Sequence, residues 1–273
     1  MSMRNIIKPM LWGVMAVVAV LSIMAPPVSS QTPEVTIPDE DTICIDPDSV
    51  YIPGFSNYSS YAKMTVDLDS LRSMYAEYPS AIVFAALPDS ITPLLPQNVR
   101  LDMIDYAKFG SRRSVKNAMD SYSRIDSISA RYLKAVVTTV SNIQVGIYGE
   151  GKGKQIVVVD YTITPRDAAA DSELLFYNTD MQPIPLQKVM KLPDSEDFIA
   201  IPHGKHADKK ELARQIPFST VAYSIDPSVG TITATLTADV AMTVESLNIL
   251  KPFLNRTLVY HWTGKKFELQ KKK

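Results

Sequence analysis

The sequence predicts an α+β fold, with a small N-terminal helical segment followed by a mostly antiparallel β body. In "DLDSLRSMYAEY", Leu68, Leu71 and Met74 recur at helical spacing behind Asp67 or Asp69 as an N-cap. Later in the chain, "RYLKAVVTTV", "IQVGIYG" and "KQIVVVDYTIT" are rich in β-branched and aromatic residues, which favour strands. With 273 residues, 46% of them hydrophobic, the chain can bury a sizeable core.

The helical segment is expected to span 61–128. The alanine-rich run "SAIVFAAL" favours a helix over a strand. In "LPDSITPLLPQNVRLDMIDY", Asp89 or Ser90 is expected to cap one short helix and Asn98 a second. The sequence "RRSVKNAMDSY" predicts a further short amphipathic segment.

The β body is expected to span 129–273, with "GEGKGK" as a flexible hairpin loop. Short helical pieces are predicted at 208–214 and in "VESLNILKPFL", which ends at Pro252. The stretches 143–187 and 220–270 have a similar hairpin pattern. Either they are an internal duplication, or common hairpin patterning produces the likeness.

Residues 1–30 are typical of a signal peptide. A basic start precedes "LWGVMAVVAVLSIM", an apolar run of about 14 residues, shorter than the ~20 that a membrane-spanning helix needs. Val28 and Ser30 suit the −3 and −1 positions of a cleavage site, which leaves Gln31 as the new N-terminus. An uncleaved membrane anchor is the alternative.

The single cysteine, Cys44, limits both the anchoring and the chemistry of the chain. A lipoprotein needs a cysteine directly after the apolar run, so we expect an exported periplasmic, cell-surface or secreted protein without a lipid anchor. One cysteine forms no internal disulfide and no Cys-rich zinc site. Cys44 is interpreted as a small hydrophobe or spare thiol, with a nucleophile paired to a histidine as the alternative.

Residues 31–60 are predicted to be an extended acidic spacer. They contain no Lys or Arg and four prolines, and like charges with prolines oppose compaction. The acidic residues are Glu34, Asp39, Glu40, Asp41, Asp46 and Asp48.

The net charge of −1 gives no general attraction to nucleic acid, so no nucleic-acid partner is expected. The chain ends in a basic tail at 271–273. This tail is interpreted as a solvated terminus, with contact to anionic lipid as the alternative.

The first candidate site is a carboxylate cluster. Paired carboxylates share acid and base roles or bind a hard cation, and Asp102 and Asp105 are three residues apart on a predicted helix. Asp89 is a further carboxylate, and Arg100 would orient an anion beside them. The alternative, which we favour, is that these residues cap helices and complement helix dipoles.

The second candidate site is "HGKHAD", where His203, His206 and Asp208 have metal-ligand spacing and Glu211 follows. Three lysines in and beside this run would repel a cation, so a solvated loop is the preferred interpretation. The sequence has no GxSxG or HExxH motif, and "GEGKGK" lacks the spacing of a phosphate-binding loop. No cofactor is predicted.

At "ALPDSITPLLPQNVRLDMIDY" the chain resembles an uncharacterised family of exported Bacteroidetes proteins. The likeness rests on Pro88-Asp89-Ser90, Asn98 and the block from Arg100 to Asp105 before Tyr106. It continues through "YLKAVVTTVSNIQVGIYG" and "LFYNTDMQPI", while Leu87 replaces the methionine usual in the pattern. The resemblance implies export and one shared fold, and it implies no activity or cofactor.

The same resemblance implies O-glycosylation at Asp-Ser or Asp-Thr followed by an apolar residue. Thr42 and Ser49 fit this form within the predicted spacer, where a modifying enzyme has access. Asp-Ser is also common at caps and turns, which is the alternative at each site.

The leading functional hypothesis is a non-catalytic envelope module that binds a protein, peptide or glycan. It depends on the export signal and on a β body whose edges are available for pairing. The alternatives are a hydrolase or metal-dependent enzyme that uses Asp102, Asp105 and Arg100, and a structural component of an envelope assembly. No membrane span is expected in the mature chain.

Protein purified from its native envelope is expected to begin at Gln31, because small residues at −3 and −1 direct signal-peptide cleavage. Mass spectrometry of the N-terminal peptide measures this. Ser30→Trp should leave the precursor uncleaved. A wild-type protein that retains Met1 would favour the membrane-anchor alternative.

Overall fold

The computed structural model describes residues 65–151 and 155–270, which form helices on one side of a large sheet and a smaller sheet on the other. The helices are α1 Leu68–Met74, α2 Pro79–Ala86, α3 Gln97–Lys108, α4 Leu186–Val189, α5 Lys209–Ala213 and α6 Val244–Leu250. Two 3₁₀ turns, Ser195–Phe198 and Ala238–Ala241, join later elements.

The larger, central sheet has seven antiparallel strands in chain order: β1 Val115–Lys116, β2 Tyr122–Ile128, β3 Tyr132–Thr138, β4 Ser141–Tyr148, β5 Ile156–Ile163, β6 Asp171–Tyr177 and β7 Pro183–Ile184. The smaller sheet has the order β11-β10-β9-β8, from β8 Val221–Asp226, β9 Thr231–Leu236, β10 Thr257–Trp262 and β11 Phe267–Leu269. The predicted α+β class is confirmed.

The central sheet buries both of its faces. On β5, Val157 and Val159 pack in the core beneath the helices, whereas Ile156 and Val158 pack in the core against the smaller sheet. Alternate residues of a strand point to opposite faces, so a strand covered on both sides needs a continuous apolar run. This explains the sequence "QIVVV" at the centre of the molecule.

The first two helices begin as their sequences indicate. The Asp67 side chain accepts hydrogen bonds from the amides of Asp69 and Ser70 and so caps α1. Pro79 occupies the first turn of α2, where its missing N–H costs nothing. Leu71 and Phe84 are fully buried against the central sheet.

The strands begin earlier than the sequence predicted. The segment "RRSVKNAMDSY" forms β1 and a turn, and β2 occupies 122–128, all within the stretch expected to be helical. The turn depends on Asn117, whose side-chain oxygen accepts from the amides of Met119 and Ser121. An asparagine that closes a turn on its own backbone favours a hairpin over a helix.

The stretch 89–95 forms turns and no helix, so neither Asp89 nor Ser90 caps one. Asn98 is not a cap either: α3 begins at Gln97 with Pro96 at the cap position. The Gln97 side chain instead bonds both backbone groups of Val66. The N-terminal edge of the described domain is thereby tied to the start of α3.

The predicted hairpin stretches 143–187 and 220–270 each contain four strands that neighbour one another in chain order. An internal duplication stays a prediction, since simple meander topology also produces this order. Among the described residues, no helix has the length and apolar character needed to cross a bilayer.

Arg100 is 1% exposed and organises the turns that follow α2. Its Nη2 donates to the carbonyls of Leu87 at 2.6 Å and Ala85 at 3.1 Å, and its Nη1 donates to the carbonyl of Leu95. Nη1 also lies 3.0 Å from Asp89 Oδ1. The guanidinium therefore joins three backbone carbonyls at the end of α2 and in the turns that follow it. Gln97 Nε2 also donates to the Ala85 carbonyl, and Thr92 Oγ1 to the Leu95 carbonyl.

Arg100→Met is expected to lower the free energy of unfolding by about 3 to 5 kcal/mol, because it removes the donor to the buried Leu87 carbonyl and one of two donors to each of the Ala85 and Leu95 carbonyls. Urea unfolding followed by circular dichroism measures the change. Arg72→Met is the control: this side chain is 43% exposed and pairs with Asp69 and Asp180, so a loss of about 1 kcal/mol or less is expected. Equal losses in the two variants would contradict the role of Arg100.

Candidate binding cleft and buried polar network

The smaller sheet reaches the central sheet through its edge strand β8, which lies against β4, β5 and β6. An edge strand has backbone N–H and C=O groups without strand partners, and burial makes unpaired groups costly. Gln144 Nε2 donates to the Tyr223 carbonyl at 3.1 Å, and the Tyr223 amide donates to Ser172 Oγ at 3.0 Å. Side chains of the central sheet therefore complete the hydrogen bonding of β8.

Asp160 lies at the centre of this polar network and is 0% exposed. Its Oδ2 accepts from Gln144 Nε2 and from Thr162 Oγ1, both at 2.8 Å. The hydroxyls of Thr162 and Ser172 are 2.6 Å apart, so the chain of bonds continues to β8. Asp160 Oδ1 has no hydrogen-bond partner among the described residues.

Burial raises the pKa of Asp160 to about 7, because desolvation penalises the charged carboxylate. The bonds from Thr162, Gln144 and Ser172 favour the charged form and oppose this shift, as does the charge of Lys134. Desolvation is the largest effect. Asp160 is thus a carboxyl group that changes charge near neutral pH inside the interface between the sheets.

The network reaches the surface at Tyr132, whose hydroxyl donates to Gln144 Oε1 at 3.0 Å. Tyr132 lines a cleft of about 620 Å³ between the β2–β3 turn and the β8–β9 turn. The lining residues are Ser129, Ala130, Arg131, Tyr132, Ser224, Ile225, Asp226, Pro227 and Ser228. Two turns on separate sheets therefore form this cleft.

A glycine permits this approach of the sheets. A Cβ at Gly146 would lie 3.0 Å from Ile225 Cδ1 and 3.1 Å from a Tyr148 ring carbon. Arg131 holds the opposite turn, since its Nε and Nη2 donate to the carbonyls of Ile147 at 3.0 Å and Gly149 at 2.7 Å. Both walls of the cleft are thus anchored to β4 and the residues directly after it.

Asp226 gives the cleft an exposed negative charge. Ser228 donates to this carboxylate from its hydroxyl and its amide, which lowers the pKa of Asp226. The carboxylate is therefore ionised at neutral pH. With Tyr132, Ile225 and Pro227 nearby, the cleft combines apolar surface with this anion and with one cation, the Arg131 guanidinium, which is held by backbone carbonyls.

A second cleft of about 480 Å³ lies beside β11, and charges of both signs line it. Lys266 Nζ is 2.9 Å from Glu268 Oε1, and Lys191 Nζ is 3.9 Å from Asp197 Oδ2. Because these charges neutralise one another, the cleft next to Tyr132 is the stronger candidate.

The structure separates the members of the predicted carboxylate cluster. Arg100 points into the turns after α2 and pairs with Asp89, whereas Asp102 and Asp105 lie on the exposed side of α3. Asp105 accepts a 3.1 Å hydrogen bond from the Tyr75 hydroxyl. Partial burial, followed by the charge of Asp105, raises the pKa of Asp102. Neither carboxylate lines either cleft described above.

The predicted metal ligands are spread over an exposed loop. His203 and His206 are exposed, and Asp208 caps α5 by accepting from the amides of Lys210 and Glu211. The Glu211 carboxylate pairs with Arg214 at 2.9 Å. Within the described ranges, no group of three or more His, Cys, Asp or Glu is arranged to hold a metal ion.

Several predictions concern residues outside the described ranges: the signal peptide at 1–30, the acidic spacer at 31–60, the glycosylation candidates Thr42 and Ser49, the thiol of Cys44, and the basic tail at 271–273. Sequence reasoning missed the network around Asp160. The available signal was one acidic residue within the β-branched run "IVVVDYTI", at a position that shares its strand face with Ile156 and Val158.

Comparison with known proteins places the chain among proteins of unknown function. A family model described as "Protein of unknown function (DUF3256)" matches residues 74–267. A solved structure, of a domain of an uncharacterized protein from Porphyromonas gingivalis W83, has a TM-score of 0.60 and 20% identity. That match covers 71% of this chain and 99% of the other. At this identity the likeness concerns the fold alone, and no curated protein matches the chain.

These matches confirm the predicted resemblance at the level of an uncharacterised family with a structural neighbour in a Bacteroidetes organism. The matched range includes the block from Pro88 to Tyr106, on which the resemblance rested. Arg100 in that block holds the turns after α2, so its role in the structure is architectural.

In the wild type, the free energy of unfolding is expected to fall as the pH rises from about 4 to about 7. Asp160→Asn is expected to remove this fall. In this window the folded protein keeps a proton that the unfolded chain, with a pKa near 3.8, has released. Rising pH therefore lowers the free energy of unfolding by roughly 4 kcal/mol at most. Urea unfolding at several pH values measures the slope.

Asp167→Asn is the matched control, since Asp167 lies exposed in the loop between β5 and β6. This variant should keep the wild-type pH dependence. A slope that is the same in wild type and Asp160→Asn would show that Asp160 titrates alike in the folded and unfolded states.

Proposed function

The chain belongs to the DUF3256 family of proteins of unknown function, and we propose that it is an exported, non-catalytic binding module of the cell envelope. The predicted signal peptide supports export. The cleft next to Tyr132 supports binding and is the observation that carries the proposal.

The cleft has the size and composition of a ligand site. Pockets that bind ligands usually enclose roughly 300–1,000 Å³ and combine apolar walls with a few polar groups. Here Tyr132, Ile225 and Pro227 supply aromatic and apolar surface, and Asp226 supplies an ionised carboxylate. We propose a protein or peptide partner that places an apolar side chain in the cleft and a basic side chain against Asp226.

The cleft is also built before any partner arrives. Arg131 fixes one turn through two backbone carbonyls, and the Tyr132–Gln144 hydrogen bond fixes the wall beside it. A preformed site avoids part of the entropic cost of ordering loops on binding. The rival hydrolase proposal has less support, since Arg100 points away from Asp102 and Asp105.

Ala130→Trp is expected to weaken partner binding by about tenfold or more, because a large side chain would occupy the cleft without removing any of its hydrogen bonds. The exposed Ala168 lies in the β5–β6 loop, and Ala168→Trp is the matched control. The measurement is recovery of crosslinked partners from the native envelope, with a photoreactive residue at Ser224, which is exposed in the cleft wall.

A discrete protein adduct in wild type and Ala168→Trp, but not in Ala130→Trp, would support the proposal. Recovery of the uncrosslinked protein alone from all three samples would contradict it. Retention on an immobilised glycan that Ala130→Trp abolishes, without a protein adduct, would replace the peptide partner with a glycan.

A further inference from the structure

A second surface, remote from the cleft, combines positive charge with exposed apolar side chains. We call residues 108–122 the basic strip. It contains four cationic residues, Lys108, Arg112, Arg113 and Lys116, and one acidic residue, Asp120. The whole chain has a net charge of −1, so this strip is a local concentration of positive charge.

The strip runs back along α3. Lys108 is the last residue of α3, and its Nζ lies 4.8 Å from the centre of the Tyr75 ring. The Arg113 guanidinium lies 5.5 Å from the centre of the Tyr106 ring. Further on, the Ala118 amide donates to the Leu94 carbonyl just before the helix begins. The strip therefore runs alongside α3 from one end to the other. Because α3 has 12 residues, both are about 18 Å long.

Large apolar side chains are exposed at both ends of this strip. Phe109 is 87% exposed at the C-terminal end of α3, and Met119 is 66% exposed in the β1–β2 turn. Tyr122 is 62% exposed and pairs with Lys116 across β1 and β2. Apolar groups beside cations are typical of surfaces that lie in the interface of a membrane.

We propose that the basic strip docks the protein on a bilayer that contains anionic phospholipid. The headgroups would neutralise Lys108, Arg112 and Arg113, while Phe109 and Met119 enter the acyl boundary. A soluble anion would satisfy the cations but would leave both apolar side chains in water, so the combination favours a lipid surface. Lys116 contributes less, because Asp120 lies 3.4 Å from its ammonium group. Lys108 also contributes less than the two arginines, because the Asp105 carboxylate contacts the same tyrosine, Tyr75.

The test is co-sedimentation of the full mature chain with phosphatidylcholine vesicles, with and without about one-third phosphatidylglycerol. Wild type should sediment with the anionic vesicles only, and added salt should release it. Arg112→Ser/Arg113→Ser should lower the partition coefficient about 25-fold, since each cation near an anionic surface contributes roughly fivefold. Phe109→Ser should lower it as well.

Matched controls remove the same groups elsewhere. Lys251→Ser/Lys265→Ser removes two exposed cations, Val240→Ser removes an exposed apolar side chain, and deletion of 271–273 removes the basic tail. All three should bind like wild type. In Phe109→Trp, the new indole should show a blue-shifted emission when anionic vesicles are added.

Three outcomes would overturn the proposal. Binding that depends on the tail and not on Arg112 and Arg113 would place the contact elsewhere. Equal retention of wild type and Phe109→Ser on a soluble polyanion, without vesicle binding, would indicate an acidic macromolecule. A dimer in light scattering that Phe109→Ser dissociates would identify a second copy as the occupant. None of these results depends on the cleft next to Tyr132.

Discussion

The architecture depends on a central sheet that is buried on both faces. Its strands are apolar on both sides, so any polar backbone group that rests on them must find a partner within the protein. The edge strand β8 brings such groups onto the sheet at Tyr223. Gln144 and Ser172 supply the partners, and Asp160 and Thr162 orient them. The polar network is thus a requirement of the way the two sheets pack.

The same requirement is met differently under the helices. The end of α2 and the turns after it present several backbone carbonyls to one buried point, and a guanidinium supplies several donors and no acceptor. Arg100 therefore fits that site. A strand edge offers both N–H and C=O groups, so β8 needs both an acceptor and a donor, and Ser172 and Gln144 provide them. The site after α2 presents carbonyls only, so a cationic donor, Arg100, is buried there. The edge of β8 presents both N–H and C=O groups, so an uncharged amide, Gln144, is buried beside it.

Local pattern was enough to predict α1, α2 and the β4–β5 hairpin, because each rests on neighbouring residues: the Asp67 cap, the alanines of α2 and the β-branched runs on either side of "GEGKGK". The sites depended on long-range packing. Residues two apart on a helix lie on opposite sides, so Arg100 faces the core while Asp102 faces outward despite their closeness in sequence. Gln144 and Tyr223 meet only when the sheets pack, and no local pattern encodes their distance.

One strand joins the two surfaces for which we propose functions. Tyr122 in the basic strip begins β2, and Ser129 in the cleft directly follows its last residue. Seven residues of strand span about 23 Å, somewhat less where the bulge near Ile125 bends the chain. A bilayer bound at one end would therefore leave the cleft roughly 20 Å away and open to a partner. Because β2 belongs to the central sheet, this separation is fixed by the same packing that builds the polar network.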